Sequence, residues 1–538
     1  LGRIASPQHR LTGELILQYR PPGVSRDSSP GADISDVARL LDEAERAFGD
    51  RVFLRGDQRL TYRQSVRLVR RIAGWLARQG VGPGDRVLIV APNRNEVVLL
   101  SLAAVYLGAI TTIIHESTKP RVLKRIVELV QPAVAAFDRS TIKLSDSVGR
   151  AVVVDLDSAA GSDGPGTWEQ VTSSPDDSRR PTPVRSSEPA HLIFTSGSTG
   201  DPRGVIVTHD NIVFSAAAIQ ERLTYRTDDV VGLYVPLSFD YGLYQIFLVA
   251  NVGATLRVGP VGSAGPAFLH ELHENRITVL PAVPGMLSSL HKLLGRGQTP
   301  LPDLRSITST GEYLPESGVD ALRHRLPNAS IFPMYGLTEC KRVSILLPQE
   351  WEQKRGTVGR PLRDTAVRVV GADGRELPRG CPGELVVSGR HVTQGYWRAT
   401  GEDCQRFRPA EADPSSRELW TGDIGQIDGD GYIRVLGRRD SLLKHHGFRI
   451  SGMEIEREAN AVSDVIEAGA VSAGDGTLHL FVRLASPDAG TDELRRALRD
   501  NLEWFKLPDR IHVVGDLPRT GHGKIDRAAL TSVASGTG

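Results

Sequence analysis

RVLIVAPNRNEVVLLSLAAVYLGAITTII, residues 86–114, reads as a strand, a buried helix and a second strand. The apolar run from Val87 to Val90 is too short for a helix and suits a strand covered on both faces. From Glu96 to Leu107 apolar residues occupy every side of a helical projection, and Gly108 offers a natural stop because it takes positive φ without strain. Val97 to Ile114 is the longest apolar run, but Ser101, Tyr106, Thr111, Thr112 and Gly108 interrupt it, so a membrane span is not expected. A helical pattern over Arg121 to Leu129 and an apolar run over Ala133 to Phe137 continue the alternation. This rhythm of strands and crossover helices predicts an α/β fold with doubly wound sheets.

Farther along, Asp155 to Pro189 is rich in Ser, Asp, Gly and Pro and reads as a loop before a strand at Leu192 to Phe194. Residues Gly359 to Leu436 combine Val, Gly and the turn dipeptides Asp373-Gly374 and Asp430-Gly431, which predicts a compact β subdomain built of hairpins. After Gly437 come an amphipathic stretch at Met453 to Val462, a strand at Leu478 to Leu484, a helix at Thr491 to Leu502 and a strand at Ile511 to Val514. That is a small α+β domain of its own. The expected division is 35–439 for the large domain, with its β subdomain at about 359–436, and 440–538 for the small one. No internal repeat is visible.

A length of 538 residues requires more than one folding unit. The net charge of +1 provides no long-range field for nucleic acid or a membrane surface, so partners must be recognised locally. The cysteines Cys340, Cys381 and Cys404 fit neither a disulfide framework nor a zinc ribbon, and the residues around Arg3, His9 and Arg10 contain no apolar signal core. A cytoplasmic protein is expected.

The sharpest chemical signal is Thr195-Ser196-Gly197-Ser198-Thr199-Gly200-Asp201-Pro202-Arg203-Gly204, which follows an apolar strand. Glycines let backbone N–H groups turn toward an anion, hydroxyls add donors, and Arg203 adds a fixed positive charge. The segment lacks the Gly-Lys-Ser/Thr ending of a Walker loop, and Val205 to Val207 continues as a strand where a Walker loop would begin a helix.

With four further segments in order, this loop resembles the signature of the adenylate-forming superfamily of acyl-CoA synthetases, peptide-synthetase adenylation domains and luciferases. The others are Gly311-Glu312; Tyr335-Gly336-Leu337-Thr338-Glu339; Trp420-Thr421-Gly422-Asp423 with Gly437-Arg438-Arg439-Asp440; and Leu517 to Lys524. The resemblance runs from about Ser35 to Leu530. It implies an ATP- and Mg2+-dependent enzyme that joins a carboxylate to AMP and passes the acyl group to a thiol.

By that resemblance Tyr335 stacks on adenine, Thr338 approaches the α-phosphate, Thr199 and Glu339 serve Mg2+, and Asp423 and Arg438 hold the ribose. Lys524 is expected to bridge the substrate carboxylate and the α-phosphate. Only nine lysines occur (119, 124, 143, 292, 341, 354, 444, 506 and 524) in a chain that otherwise uses arginine, and a compact ammonium follows migrating charge better than a planar guanidinium. The small domain is expected to turn about Asp440 between an adenylating and a thioester-forming pose, with Lys444 and Gly447 on the thiol path.

The acyl pocket is expected around Pro236 to Leu243, with Phe239, Asp240, Ser309, Met334 and Arg342 as substrate contacts. Asp240 matches the carboxylate that amino-acid adenylation domains use for the substrate ammonium, or is a hydrogen-bonded Asp of a plain acyl ligase. Arg342 faces a second substrate carboxylate, or pairs with Glu339 or a surface acid. Three functions are therefore carried forward. The first is an amino-acid ligase, for a β-amino or acidic amino acid, acting with an acyl or peptidyl carrier protein. The second is an acyl-CoA or acyl-AMP ligase for a non-amino acid. The third is an inactive family member that only binds.

Overall fold

The computed structural model describes residues 36–157, 166–175, 183–196, 202–261, 265–295, 300–399, 401–410, 417–439, 442–445, 448–473, 476–486, 490–520 and 524–536. The stretch at 86–114 forms strand Arg86–Val90, helix Asn95–Tyr106 and strand Ile110–Ile114, and Gly108 at φ +79° turns the chain between the last two. The helix has no polar face because its residues from Val97 onward are all buried, with helix Tyr62–Arg78 packed along it.

Arg86–Val90 pairs in parallel with both Ile110–Ile114 and Val134–Phe137. The six-stranded sheet around it runs, edge to edge, Val152–Asp155, Val134–Phe137, Arg86–Val90, Ile110–Ile114, Pro189–Ser196 and Pro202–Thr208, with only the last strand antiparallel. A nine-stranded sheet has a parallel centre of Ser330–Tyr335, Ser306–Ser309, Val279–Ala282, Val230–Leu233, Thr255–Val258 and Val52–Arg55. One continuous core joins the two sheets through the helices Val37–Phe48, Asn95–Tyr106, His209–Leu223 and Asp240–Val252. A second core, including Phe268, Leu287, Leu290 and Leu322, covers the other face of the nine-stranded sheet.

The hairpin region is an antiparallel sheet of Thr365–Val370, Gly383–Gly389, Phe407–Pro409, Arg417–Ile427 and Ile433–Arg438. The C-terminal subdomain has its own core between a sheet of Val465–Ser472, Leu478–Leu484 and Arg510–Val513 and the helices Gly452–Asn460 and Asp492–Asn501.

Three details differ from the sequence reading. The expected loop at 155–189 includes the short helix Trp168–Thr172, held by a capping box in which Thr167 and Gln170 bond each other's backbone. Strand Val465–Ser472 is long and well paired although Glu467 and Gly469 interrupt its apolar run. Helix Arg527–Ala534 closes the subdomain through Leu530, with Asp526 as its cap. Among the described residues no helix is long and apolar enough to cross a membrane.

Candidate active site

The parallel strands of the nine-stranded sheet all present their carboxyl ends to one side, where an open α/β sheet places its crevice. A cleft of about 2620 Å³ lies there, with the C-terminal subdomain forming part of its wall. Ser309 and Tyr335 end two of these strands, and the Pro236–Asp240 turn follows a third. The cleft is lined by Thr195, Arg203, Gly311, Glu312, Tyr335, Gly336, Thr338, Glu339, Asp423, Arg438 and Lys524, together with Phe239, Asp240, Ser309, Met334 and Arg342. Residues spread over more than three hundred positions of sequence therefore share one cavity.

At one end the Tyr335 hydroxyl donates to Asp423 Oδ2 at 2.6 Å, and Arg438 Nε holds Asp423 Oδ1 at 3.0 Å. Asp423 and Tyr335 are both buried. Burial pushes the Asp423 carboxyl up from its ordinary pKa, while Arg438 and the Tyr335 hydroxyl pull against that shift. Asp423 lies within strand Arg417–Ile427, directly after Gly422, which takes φ +74° there. Gly422 N–H donates to Glu384 Oε1 at 3.0 Å, and Arg439 holds Glu384 Oε2 at 2.7 Å. Beside this group Trp420 also lines the cleft, with the Arg408 guanidinium 3.8 Å from its ring centroid.

Gly336 is the crossing point of the next loop. A Cβ there would come within 1.9 Å of the Lys341 carbonyl oxygen, so the chain folds back on itself where only glycine fits. The fold-back places Thr338 and Glu339 at the cleft. Glu339 Oε1 accepts from the Tyr396 hydroxyl at 2.6 Å and from Arg406 Nη1 at 3.1 Å. Arg406 is pinned further by the carbonyls of Trp420 and Thr421. Among the described residues no contact falls on Glu339 Oε2, and no group of three metal-ligating side chains exists. A single carboxylate open on one oxygen, beside a polyanionic substrate, suits Mg2+, which keeps its waters and is commonly bound by few protein oxygens plus phosphate.

The other end of the cleft is built on helix Asp240–Val252. The Tyr241 hydroxyl ties its first turn to the sheet, donating to the Thr308 carbonyl at 2.7 Å and accepting from Ala282 N–H at 3.1 Å. Arg342 lies over the Tyr241 ring at 5.2 Å and donates from Nη1 to Thr310 Oγ1 at 2.7 Å. It is 6% exposed and has no carboxylate at ion-pair distance among the described residues. Glu339 therefore pairs with Arg406 and not with Arg342. Among the described residues, Arg342 Nε and Ser309 Oγ are buried without a hydrogen-bond partner.

Asp240 Oδ1 accepts from Thr338 Oγ1 at 3.3 Å, at the positive end of its own helix. Lys341 is 1% exposed at φ +57°, donates to the Thr338 carbonyl at 2.6 Å, and has its pKa pushed down to about 8 by burial, against the pull of Asp240 and Glu339.

The C-terminal subdomain contributes Lys524 from a turn in which Thr520 N–H donates to the Lys524 carbonyl at 2.8 Å. Glu312, from the large domain, accepts from Ile525 N–H at 3.3 Å.

Thr195 pairs with Arg203 across the first hairpin of the phosphate-loop motif, and backbone pairing continues to Ser196 and Pro202. Gly197, Ser198, Thr199 and Gly200 lie outside the described residues, as do Asp440 and Gly447. Lys444 is on strand Leu442–His445, which pairs with Phe448–Ser451. His445 Nε2 lies 2.9 Å from Asp509 Oδ2, and its Nδ1 lies 2.8 Å from the Phe505 carbonyl.

Arg406, Tyr396 and Glu384 escaped the sequence reading, as did the tie that Tyr241 makes to the sheet and the burial of Lys341. Arg406 and Tyr396 stand in a stretch, Tyr396 to Phe407, whose order of residues reveals nothing of Glu339, 67 and 57 positions earlier. Lys341 had one usable signal, being a lysine next to the motif in an arginine-biased chain.

The family described as AMP-binding enzyme matches residues 41–397, and the AMP-binding enzyme C-terminal domain matches residues 454–524. 4-Coumarate–CoA ligase 2 of Oryza sativa subsp. japonica is 28% identical over 504 residues, covering 87% of each chain. ATP-bound MatB from Rhodopseudomonas palustris is 25% identical with a TM-score of 0.80, covering 92% of this chain and 98% of its own. VinN in complex with L-aspartate is 29% identical with a TM-score of 0.66, covering 74% and 98%. Ligases whose names specify CoA match across most of both chains, so the comparisons weigh more toward a non-amino acid than toward the amino-acid reading.

Proposed function

This chain belongs to the AMP-binding enzyme family, and from that premise we propose that its substrate is an acid with a second anionic group remote from the reacting carboxylate. Its activity is that of an AMP-forming, ATP- and Mg2+-dependent ligase that adenylates a carboxylic acid and transfers it to a thiol. The observation that carries the proposal is Arg342, buried at the acyl end with no carboxylate and no partner for its Nε among the described residues, in a cleft that Ser309, with its own unpartnered Oγ, also lines. A guanidinium in such a place is costly unless an anion completes it, and unpartnered donors in the lining of one cleft suit a carboxylate.

We assign Asp240 to the substrate's amino group, which makes the substrate an acidic α- or β-amino acid and its acceptor the phosphopantetheine thiol of a carrier protein in the cytoplasm. L-Aspartate in the related VinN has this pattern of one ammonium and two carboxylates. A second reading, a non-amino acid passed to CoA, draws on Lys341. Its ammonium and the Thr338 hydroxyl already act on Asp240, so that carboxylate does not require a substrate cation. The match to 4-coumarate–CoA ligase over most of both chains favours this reading too.

In the proposed mechanism Tyr335, Asp423 and Arg438 seat adenine and ribose, with both ribose hydroxyls donating to the Asp423 carboxylate. Glu339, with Thr199, would hold Mg2+, which when bound offsets the charge of the triphosphate. Arg203 and Lys524 place positive charge beside the α-phosphate, and Lys524 also draws the substrate carboxylate toward it. The carboxylate oxygen attacks the α-phosphorus, the bond to the bridging oxygen breaks, and pyrophosphate leaves with the electron pair. A thiolate then attacks the acyl carbon and releases AMP. We place the hinge for exchange of the two half-reactions at Asp440, between domains 35–439 and 440–538, with Lys444 and Gly447 along the thiol path.

Pyrophosphate exchange across matched acids tests this assignment. Acidic amino acids, the corresponding dicarboxylic acids without an amine, and monocarboxylic acids are compared, followed by CoA and loaded carrier protein as acceptors. The dicarboxylates as a class are expected to exceed monocarboxylates by at least about tenfold, and the amine to add to that. Preference for monocarboxylic acids sinks the second-anion proposal; indifference to the amine sinks the amino-acid assignment alone.

A further inference from the structure

Glu312 stands on the loop after strand Ser306–Ser309, and the sequence motif alone assigns it to nucleotide binding. Its carboxylate also meets the C-terminal subdomain, accepting from Ile525 N–H at 3.3 Å, next to Lys524. Three cations of that subdomain act on it, in order Lys524, Arg527 and Arg519. The two arginines have carboxylates of their own: Arg527 reaches both oxygens of Glu456 at 2.8 and 2.9 Å, and Arg519 holds Glu467 at 2.5 Å. Lys524 is the nearest in effect. The turn that carries its ammonium is tied by the bond from Thr520 N–H, by the bridge between Arg519 and Ile525, and by the Arg519–Glu467 ion pair.

We propose that Glu312 is a positioning residue for Lys524, tying the 524–525 turn to the large domain and holding the ammonium in the cleft before substrates arrive. A carboxylate half-buried between two subdomains is costly unless donors and cations complete it, and the approach of the turn supplies both. The contact divides naturally into two parts. When the substrate carboxylate and the α-phosphate enter, they compete for the ammonium, while the backbone bond from Ile525 N–H to Glu312 is left in place. Glu312 thus stabilises the arrangement that puts Lys524 at the reaction and has no part in an arrangement in which the subdomain moves away.

This inference rests on Lys524 serving adenylation, and the experiment separates the two. Wild type, Glu312→Gln, Glu312→Ala and Lys524→Ala are compared in two assays. One is pyrophosphate exchange, with kcat and KM for ATP. The other is transfer to a thiol from supplied acyl adenylate. Glu312→Ala is expected to lower exchange kcat by about 10- to 100-fold, the penalty for a misplaced reacting group. Its KM for ATP and its transfer rate should stay near the wild-type values. Glu312→Gln, which keeps the acceptor for Ile525 but loses the charge, is expected to recover part of the loss. An effect confined to KM for ATP overturns the proposal in favour of direct nucleotide binding, and equal loss in both assays overturns it in favour of a general structural role. Full exchange by Lys524→Ala overturns the premise itself.

Discussion

Tyr335 and Asp423 share a 2.6 Å hydrogen bond across 88 positions of sequence, with the tyrosine hydroxyl as donor. Since Arg438 holds the other carboxylate oxygen, Asp423 is fixed in rotation before any ligand arrives. Tyr335→Phe removes one anchor and keeps the ring. KM for ATP is expected to rise roughly tenfold, the equivalent of about 1.4 kcal/mol, with a smaller change in kcat. Steady-state exchange kinetics at varied ATP check it; an unchanged KM would mean the bond does not orient Asp423.

Lys524→Ala should slow adenylate formation by about 10²- to 10³-fold, in line with losing one preorganised donor at a developing charge. Transfer from supplied acyl adenylate should be spared. Rapid-quench measurement of the two half-reactions distinguishes this from a folding defect, which would depress both.

Glu339→Gln retains an oxygen for Tyr396 and Arg406 but removes the carboxylate charge. The Mg2+ concentration for half-maximal exchange is expected to rise by about tenfold or more, with thermal stability close to wild type. Titrating activity against Mg2+ at saturating ATP checks this, and an unchanged requirement would remove Glu339 from the metal.

Lys341 carries a stability signature in alkaline solution. Its folded pKa, lowered to about 8, lies below the unfolded 10.5, so between these values the unfolded chain binds the proton more tightly. The penalty for burying the ammonium is complete below pH 8 and fades as pH rises to 10.5. Relative to Lys341→Met, the wild type should therefore gain stability across that window, by on the order of 1 kcal/mol per pH unit. Urea unfolding of both proteins at pH 7, 8, 9 and 10 measures the slope, and a flat difference would contradict the lowered value.

Much of the fold is legible because its units are local. The apolar run from Val87 to Val90 and the stop at Gly108 are decided by neighbours in sequence, and they set the parallel sheet. Strand Val465–Ser472 escaped because Glu467 and Gly469 are tolerated there for tertiary reasons: Arg519 and Arg483 meet the glutamate, and Leu530 and Ile525 cover the glycine. The site divides in the same way. Motif residues such as Asp423 and Lys524 could be picked out by pattern, whereas Arg406 acquires its meaning only when strand and loop bring it to Glu339. Glu312 was picked out by its motif, but its bond from Ile525 could not be, since that partner comes from the other end of the chain.

Trp420 has a consequence beyond catalysis. Its indole stands in the cleft wall under the Arg408 guanidinium, where an arriving purine, a departing diphosphate or a shifted subdomain each changes the electric field on the ring. The unlabelled polypeptide thus contains an optical gauge for loading and emptying, whose signal is separated from that of the five other tryptophans by comparison with Trp420→Phe.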